Sequence, residues 1–147
     1  MEHGLSVIRL LLVLLVGIVW PAGLLAQGEP SLVLVANAHS TIQRLSPDEM
    51  RKLYLGIPMI IDGQRVHPLR NTNPMVQEMF MQKVMFMSTP AYERQILSRV
   101  FRMGGMRPPE YDEVNELLKA LESDPAAVTY LPREFAARPD LKIVGEI

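Results

Sequence analysis

Two short polar stretches carry most of the chemistry this chain can offer. The first is Arg70-Asn71-Thr72-Asn73, followed by Pro74. Asn73-Pro74 has the form of a helix cap with proline at the first helical position. The run therefore sits at a predicted helix N-terminus, where unpaired N–H groups and the positive end of the helix dipole attract anions. Arg70 adds a fork that can hold an oxyanion through two hydrogen bonds, and Thr72 adds a hydroxyl donor. Pro74 lacks an N–H, but those of Met75 and Val76 remain. A plainer reading of the same residues is structural: Asn73 caps the helix and Arg70 is solvated at the surface. The second stretch, Asn37-Ala38-His39-Ser40-Thr41, follows a predicted strand. Its imidazole and two hydroxyls suit an oxyanion or a small polar molecule, and it is expected to form the opposite wall. The expected ligand-binding residues are thus Arg70, Asn71, Thr72, Asn73, His39, Ser40 and Thr41.

Catalysis is not expected. His39 and Ser40 can be drawn as a nucleophile pair, but adjacent residues rarely aim at each other. No carboxylate is placed to orient the histidine, and no nucleophile-elbow pattern surrounds Ser40. The chain has no cysteine, which removes thiol catalysis, thiolate metal sites and disulfides. Met75, Met79, Met81, Met85 and Met87 crowd one segment, and thioethers at i, i+4 spacing can ligate Cu(I). Met75 and Met79 also share a stripe with Val76 and Phe80, which is how adaptable core residues behave. Histidines at metal-ligand spacing do not occur, so neither a metal nor a cofactor is expected. Gly104-Gly105-Met106 lacks the preceding strand and following Lys-Ser/Thr of a phosphate-cradling loop and reads as a helix stop. A formal net charge of −1 gives no basic footprint for nucleic acid.

The elements that would position these residues follow from the hydrophobic pattern. Leu32–Ala36 is a continuous β-favouring run and reads as a strand buried on both faces. Ser46-Pro47-Asp48-Glu49 opens a helix with a capping box and first-position proline. Its buried stripe is Met50, Leu53 and Tyr54, and Gly56 ends it. Asp62-Gly63 marks a turn between two short extended segments. A second helix from Pro74 is expected to bury Met75, Val76, Met79, Phe80 and Val84, and a third after Ser88 to bury Tyr92, Ile96, Leu97, Val100 and Phe101. The fourth carries Tyr111, Val114, Leu117, Leu118 and Leu121, and strands follow at Ala127–Leu131 and Leu141–Val144. Strands alternating with helices predict an α/β domain, a mixed sheet with about four helices packed on it.

The N-terminus has its own pattern. A start containing Arg9 precedes an apolar run, Leu10–Trp20, and then Pro21-Ala22-Gly23-Leu24-Leu25-Ala26-Gln27-Gly28. This is the layout of a secretory signal peptide over residues 1–26, with cleavage after Ala26 or as late as Gly28. The apolar core is shorter than the ~20 residues a membrane span requires. An uncleaved anchor is the alternative, because the positive charge at the start is thin. The expected domain covers residues 30–147, and its expected location is the periplasm or another secreted compartment.

Four blocks of this domain resemble one known group. Leu45-Ser46-Pro47-Asp48-Glu49-Met50-Arg51-Lys52-Leu53-Tyr54-Leu55-Gly56 is similar to a segment of the form L-S-x-x-E-L-R-x-I-F-L-G. Asp62-Gly63-Gln64-Arg65-Val66 matches a D-G-x-x-I/V turn. Val100–Pro109 is similar to F-x-G-x-G-x-P-P, and Asp124–Pro132 stands where the pattern has P-G-A-I-G-Y-V. In this order they resemble the short, single-lobe relatives of phosphate ABC-transporter substrate-binding proteins, within the type 2 periplasmic binding-protein superfamily. The sequence departs from that pattern at Ala126 and Thr129, where glycines are usual, and at Ile60-Ile61, where an aromatic precedes the turn. It also lacks the glycine of the Arg…Ser-Gly-Thr stretch, having Arg70-Asn71-Thr72-Asn73-Pro74 there.

The resemblance implies reversible, non-covalent capture of a small anion, phosphate being its suggestion, with a membrane permease or a sensor protein as partner. Full receptors close two lobes over a ligand, whereas this chain has length for about one. Binding is therefore expected to be weak unless two copies or a partner complete the cleft. The alternative is an interaction or sensory-accessory domain that keeps the scaffold without ligand binding, and a copper-binding protein is a third reading.

Overall fold

The computed structural model describes residue 28 and residues 30–147. The expected signal peptide lies outside the described residues. Among them, no helix is long and apolar enough to cross a membrane.

The centre of the fold is β1, Leu32–Asn37, which is buried throughout. Its side chains alternate between faces, as the two-residue strand period requires. Leu32, Leu34 and Ala36 enter one core layer, and Val33 and Val35 enter the other. The strand has helices on both sides, which explains why no polar residue interrupts it before Asn37. Antiparallel neighbours flank β1. They are β7, Ala127–Pro132, and β8, Leu141–Glu146. A two-residue strand β4, His67–Pro68, adds to β7 in parallel, giving the order β4-β7-β1-β8. The sheet is mixed and the class is α/β, as expected.

Helix α1, Pro47–Tyr54, starts at the predicted capping box. The Ser46 hydroxyl accepts from Glu49 N–H, and Glu49 Oε2 accepts from Ser46 N–H at 2.7 Å. A short hairpin follows, β2 (Ile60–Ile61) against β3 (Gln64–Arg65), with Asp62 and Gly63 both at positive φ. After β4, strand β5 (Arg70–Asn71) pairs in parallel with β6 (Glu110–Tyr111). Everything between them, residues 72–109, is a helical excursion. It contains α2, Pro74–Phe80, a π-helical turn over Met81–Met85, and α3, Thr89–Met103. Phe86 takes the left-handed conformation that reverses the chain between them. Helix α4, Val114–Ser123, and the one-turn α5, Arg133–Ala136, cover the opposite sheet face with Leu117, Leu121 and Ala136.

Three tyrosines organise the larger core layer. Tyr54 Oη donates to the Leu69 carbonyl at 3.0 Å, Tyr92 Oη to the Tyr54 carbonyl at 2.6 Å, and Tyr130 Oη to the Asn71 carbonyl at 2.9 Å. Phe80 stacks on Tyr130 with centroids 3.8 Å apart. Each ring thus buries a large apolar area and satisfies a backbone carbonyl that no ladder reaches. Thr129, where the resemblance has glycine, is fully buried and donates to the Leu69 carbonyl at 3.0 Å. It fastens β4 to β7 at a place where glycine would leave free space.

Several expected core residues lie outside. Leu97, Phe101 and Met75 are exposed, Phe101 by 82% and Met75 by 67%. In α3 the helical period turns Tyr92 and Ile96 inward, where Tyr92 reaches the end of α1, while Leu97 and Phe101 lie about 100° away from Ile96 and Val100 and stay exposed.

Candidate functional site

Parallel pairing of β5 with β6 sets Arg70 directly across from Glu110. Arg70 is only 1% exposed, which corrects its reading as a solvated surface residue. Its Nη1 donates to Glu110 Oε1 at 2.5 Å and its Nη2 reaches Glu93 Oε1 on α3 at 2.8 Å. The guanidinium lies over the Tyr92 ring, 4.7 Å from the centroid. Arg107 pairs with both carboxylates from the other side, so two arginines alternate with two glutamates. Burial acts to lower the Arg70 pKa, but Tyr92, Glu93 and Glu110 outweigh it and the net shift is upward. The same burial pushes the Tyr92 hydroxyl up to about 12, against the opposing pull of Arg70. Both forks of Arg70 are thus engaged by internal carboxylates, and only its buried Nε lacks a partner. An external oxyanion meets an occupied arginine.

The neighbouring residues divide between two hollows on either side of α2. Thr72 lines a hollow of ≈ 830 Å³ together with Gln77, Glu78, Ser88 and Thr89. Here the first residues of α2 and of the 15-residue α3 face each other, and Gln77 Nε2 donates to Thr89 Oγ1 at 3.3 Å across the gap. Ser88 caps α3 by accepting from Ala91 N–H. The lining therefore offers three hydroxyls, the amides of Gln77 and Gln82, one carboxylate from Glu78, and no cationic side chain. Asn71 and Asn73 line the second hollow, of ≈ 360 Å³. Asn71 is buried, with its Oδ1 accepting from Asn73 N–H at 3.0 Å. Asn73 caps α2 as expected, accepting from Val76 N–H.

The loop expected as the opposite wall lies elsewhere. β7 runs antiparallel to β1, and β4 runs parallel to β7. The chain therefore leaves β1 at one end of the sheet and passes from β4 to Arg70 toward the other. His39, Ser40 and Thr41 line neither hollow. Their polar groups serve the loop itself: Asn37 Oδ1 accepts from His39 N–H at 2.8 Å and Ser40 Oγ from Ile42 N–H at 3.2 Å. Thr41 Oγ1 donates to Gln64 at 2.9 Å, and Lys142 Nζ donates to the Ser40 carbonyl. The His39 side chain is exposed. Strand direction is the physical reason the two stretches lie toward opposite ends of the sheet.

The methionines also divide. Met75 and Met79 line the smaller hollow, and Met81 and Met87 the larger. Among the described residues, no group of three His, Asp or Glu side chains could hold a metal ion. Ser88, Thr89 and Gln77 escaped the sequence reading of the site, as did Glu93 and Glu110. Ser88-Thr89-Pro90 was legible as a helix start, but nothing local tells which helix start it faces.

No family model matches this chain, and no curated protein matches it. Among solved structures, it is similar to an ABC-type phosphate transport receptor from Vibrio cholerae, with a TM-score of 0.57 at 11% sequence identity. The match covers 78% of this chain and 45% of the receptor, so this chain spans less than half of that protein's length. The likeness is one of fold: the mixed α/β architecture is similar to a single lobe of a periplasmic binding protein.

Proposed function

We propose that this protein is an exported, non-enzymatic binding protein that captures a small oxyanion, phosphate being the first candidate, in the hollow between the starts of α2 and α3. One observation carries this reading: Thr72, Ser88 and Thr89 bring three hydroxyls from two helix starts to a single accessible hollow. Helix starts favour negative charge, and hydroxyl donors suit phosphate oxygens. With one lobe, an open face and no lining cation, affinity in the millimolar range, about −4 kcal/mol, is expected. A second copy or a membrane partner closing the hollow would strengthen it, and a permease fits the transport role of the similar receptor.

Calorimetric titration with phosphate and sulfate tests the reading. Phosphate heat that disappears in Thr72→Val supports it. Heat unchanged in that variant refutes the location, and silence toward both anions refutes the ligand class.

A second reading, an interaction or sensory-accessory domain that keeps the scaffold without the ligand, is favoured by a different observation. The arginine at the β5–β6 pair is closed by Glu93 and Glu110, and Glu78 adds a negative charge to the hollow. Silence toward anions together with a specific protein partner would select it.

A further inference from the structure

Residues 101–107 form the most exposed stretch of the excursion, all seven being exposed. The stretch contains three large apolar side chains, Phe101, Met103 and Met106, exposed by 82%, 73% and 90%. Gly104 and Gly105, both at positive φ, turn the chain between Met103 and Met106, so these side chains flank a projecting tip. Isolated exposed apolar residues are ordinary, but three within six positions on one tip mark a contact surface. The charge around them has one sign. From Arg94 to Pro109 the sequence holds four arginines and no Asp or Glu. Among the described residues, Arg94, Arg99 and Arg102 take part in no ion pair; Arg107 alone of the four does.

The smaller hollow is the complement in side-chain chemistry and charge. Met75, Met79 and Phe135 are among its lining residues, and Asp112, Glu113 and Glu134 supply carboxylates. None of these three carboxylates is in an ion pair among the described residues. Its ≈ 360 Å³ falls within the range of about 300–1,000 Å³ in which pockets enclose a small molecule or a few side chains. An apolar hollow with an acidic rim takes an apolar group flanked by cations, and the tip presents that combination.

We propose that copies of this chain associate by seating the 101–107 tip of one in the acidic-rimmed hollow of another. The buried aromatic and methionines supply the centre of such a contact, and the arginine–carboxylate pairs supply its rim and its orientation. The contact is independent of the anion reading, since it involves neither Thr72 nor Ser88.

Sedimentation velocity on protein purified from an exporting host, across a wide concentration range and at low and high salt, provides the test. The wild type is expected to self-associate, less so at high salt. Phe101→Ser is expected to weaken association about 30-fold, as loss of a central anchor does. Two charge-reversed proteins, Asp112→Arg/Glu134→Arg and Arg94→Glu/Arg102→Glu, should each remain monomeric alone, because like charges then meet. Mixed together, they should associate with each other, since reversed hollow and reversed tip again attract. Circular dichroism checks that each variant is folded. A wild type that is monomeric throughout overturns the proposal, as does association unaffected by Phe101→Ser or a mixture that stays monomeric. Flotation of a monomeric protein with anionic phosphatidylglycerol vesicles, lost in Phe101→Ser, also overturns it by assigning the tip to a lipid surface.

Discussion

Arg70→Met is the substitution whose outcome tests most of the structural reasoning above. Methionine keeps most of the arginine's volume, so the change removes charge and hydrogen bonds with little cavity cost. Three interactions are lost: pairs to Glu93 at 2.8 Å and Glu110 at 2.5 Å, and the stack on Tyr92 at 4.7 Å. Breaking a fully buried pair by removing one partner costs about 3–5 kcal/mol. Here the carboxylates left behind are 35% and 42% exposed and still have Arg107 beside them, so they rehydrate and the loss is smaller. The expected destabilisation is about 2–3 kcal/mol, of which the stack accounts for about 1–2. For a domain of this size that lowers the melting temperature by roughly 10 °C. Urea and thermal unfolding followed by circular dichroism measure both quantities. Adding Glu93→Gln and Glu110→Gln should recover part of the loss, because the unpaired charges then disappear. If Arg70→Met alone matches the wild type within about 0.5 kcal/mol, the pairs contribute no net stability and the cluster does not hold the excursion to the lobe.

Two further outcomes concern the core. At Gly145 an added Cβ would lie 2.5 Å from Met50 Cε, 3.2 Å from the Leu45 carbonyl oxygen and 3.3 Å from Leu34 Cβ. Met50 can swing aside but the backbone cannot, so Gly145→Ala should destabilise by about 1–3 kcal/mol in urea unfolding, and an unchanged midpoint would contradict this packing. Alkaline pH should also unfold the protein. Burial raises the pKa of Tyr54 and Tyr130 and pushes Tyr92 up to about 12, against about 10 in the unfolded chain. A raised folded value gives stability that is complete below pH 10 and is lost as pH rises through about 12. The slope reaches about 1.4 kcal/mol per pH unit for each tyrosine. Unfolding free energies should hold to about pH 10 and fall between pH 10 and 12, less steeply in Tyr130→Phe; a profile flat over that range would rule out the buried neutral tyrosines.

The sequence alone determined what local chemistry determines. The capping box at Ser46-Pro47-Asp48-Glu49, the Asn73 cap, the Asp62-Gly63 turn and the doubly buried β1 all depend on residues within a few positions of one another, and all stand where the pattern put them. Alternation of such elements also sufficed for the α/β class, whereas the single-lobe reading came from the resemblance of four sequence blocks. It could not reveal that Arg70 faces Glu93 and Glu110, because those contacts span 23 and 40 positions and arise from the docking of α3 and from the parallel β5–β6 pairing. Nor could it place His39–Thr41 relative to Arg70–Asn73, since strand direction in the assembled sheet sends them to opposite ends. Helical period gave the faces of α3, but which face is covered depended on where the end of α1 and the π-helical turn lie, and that left Leu97 and Phe101 outside. Local propensity is written in neighbouring residues, whereas a site is made of residues that only the folded chain brings together.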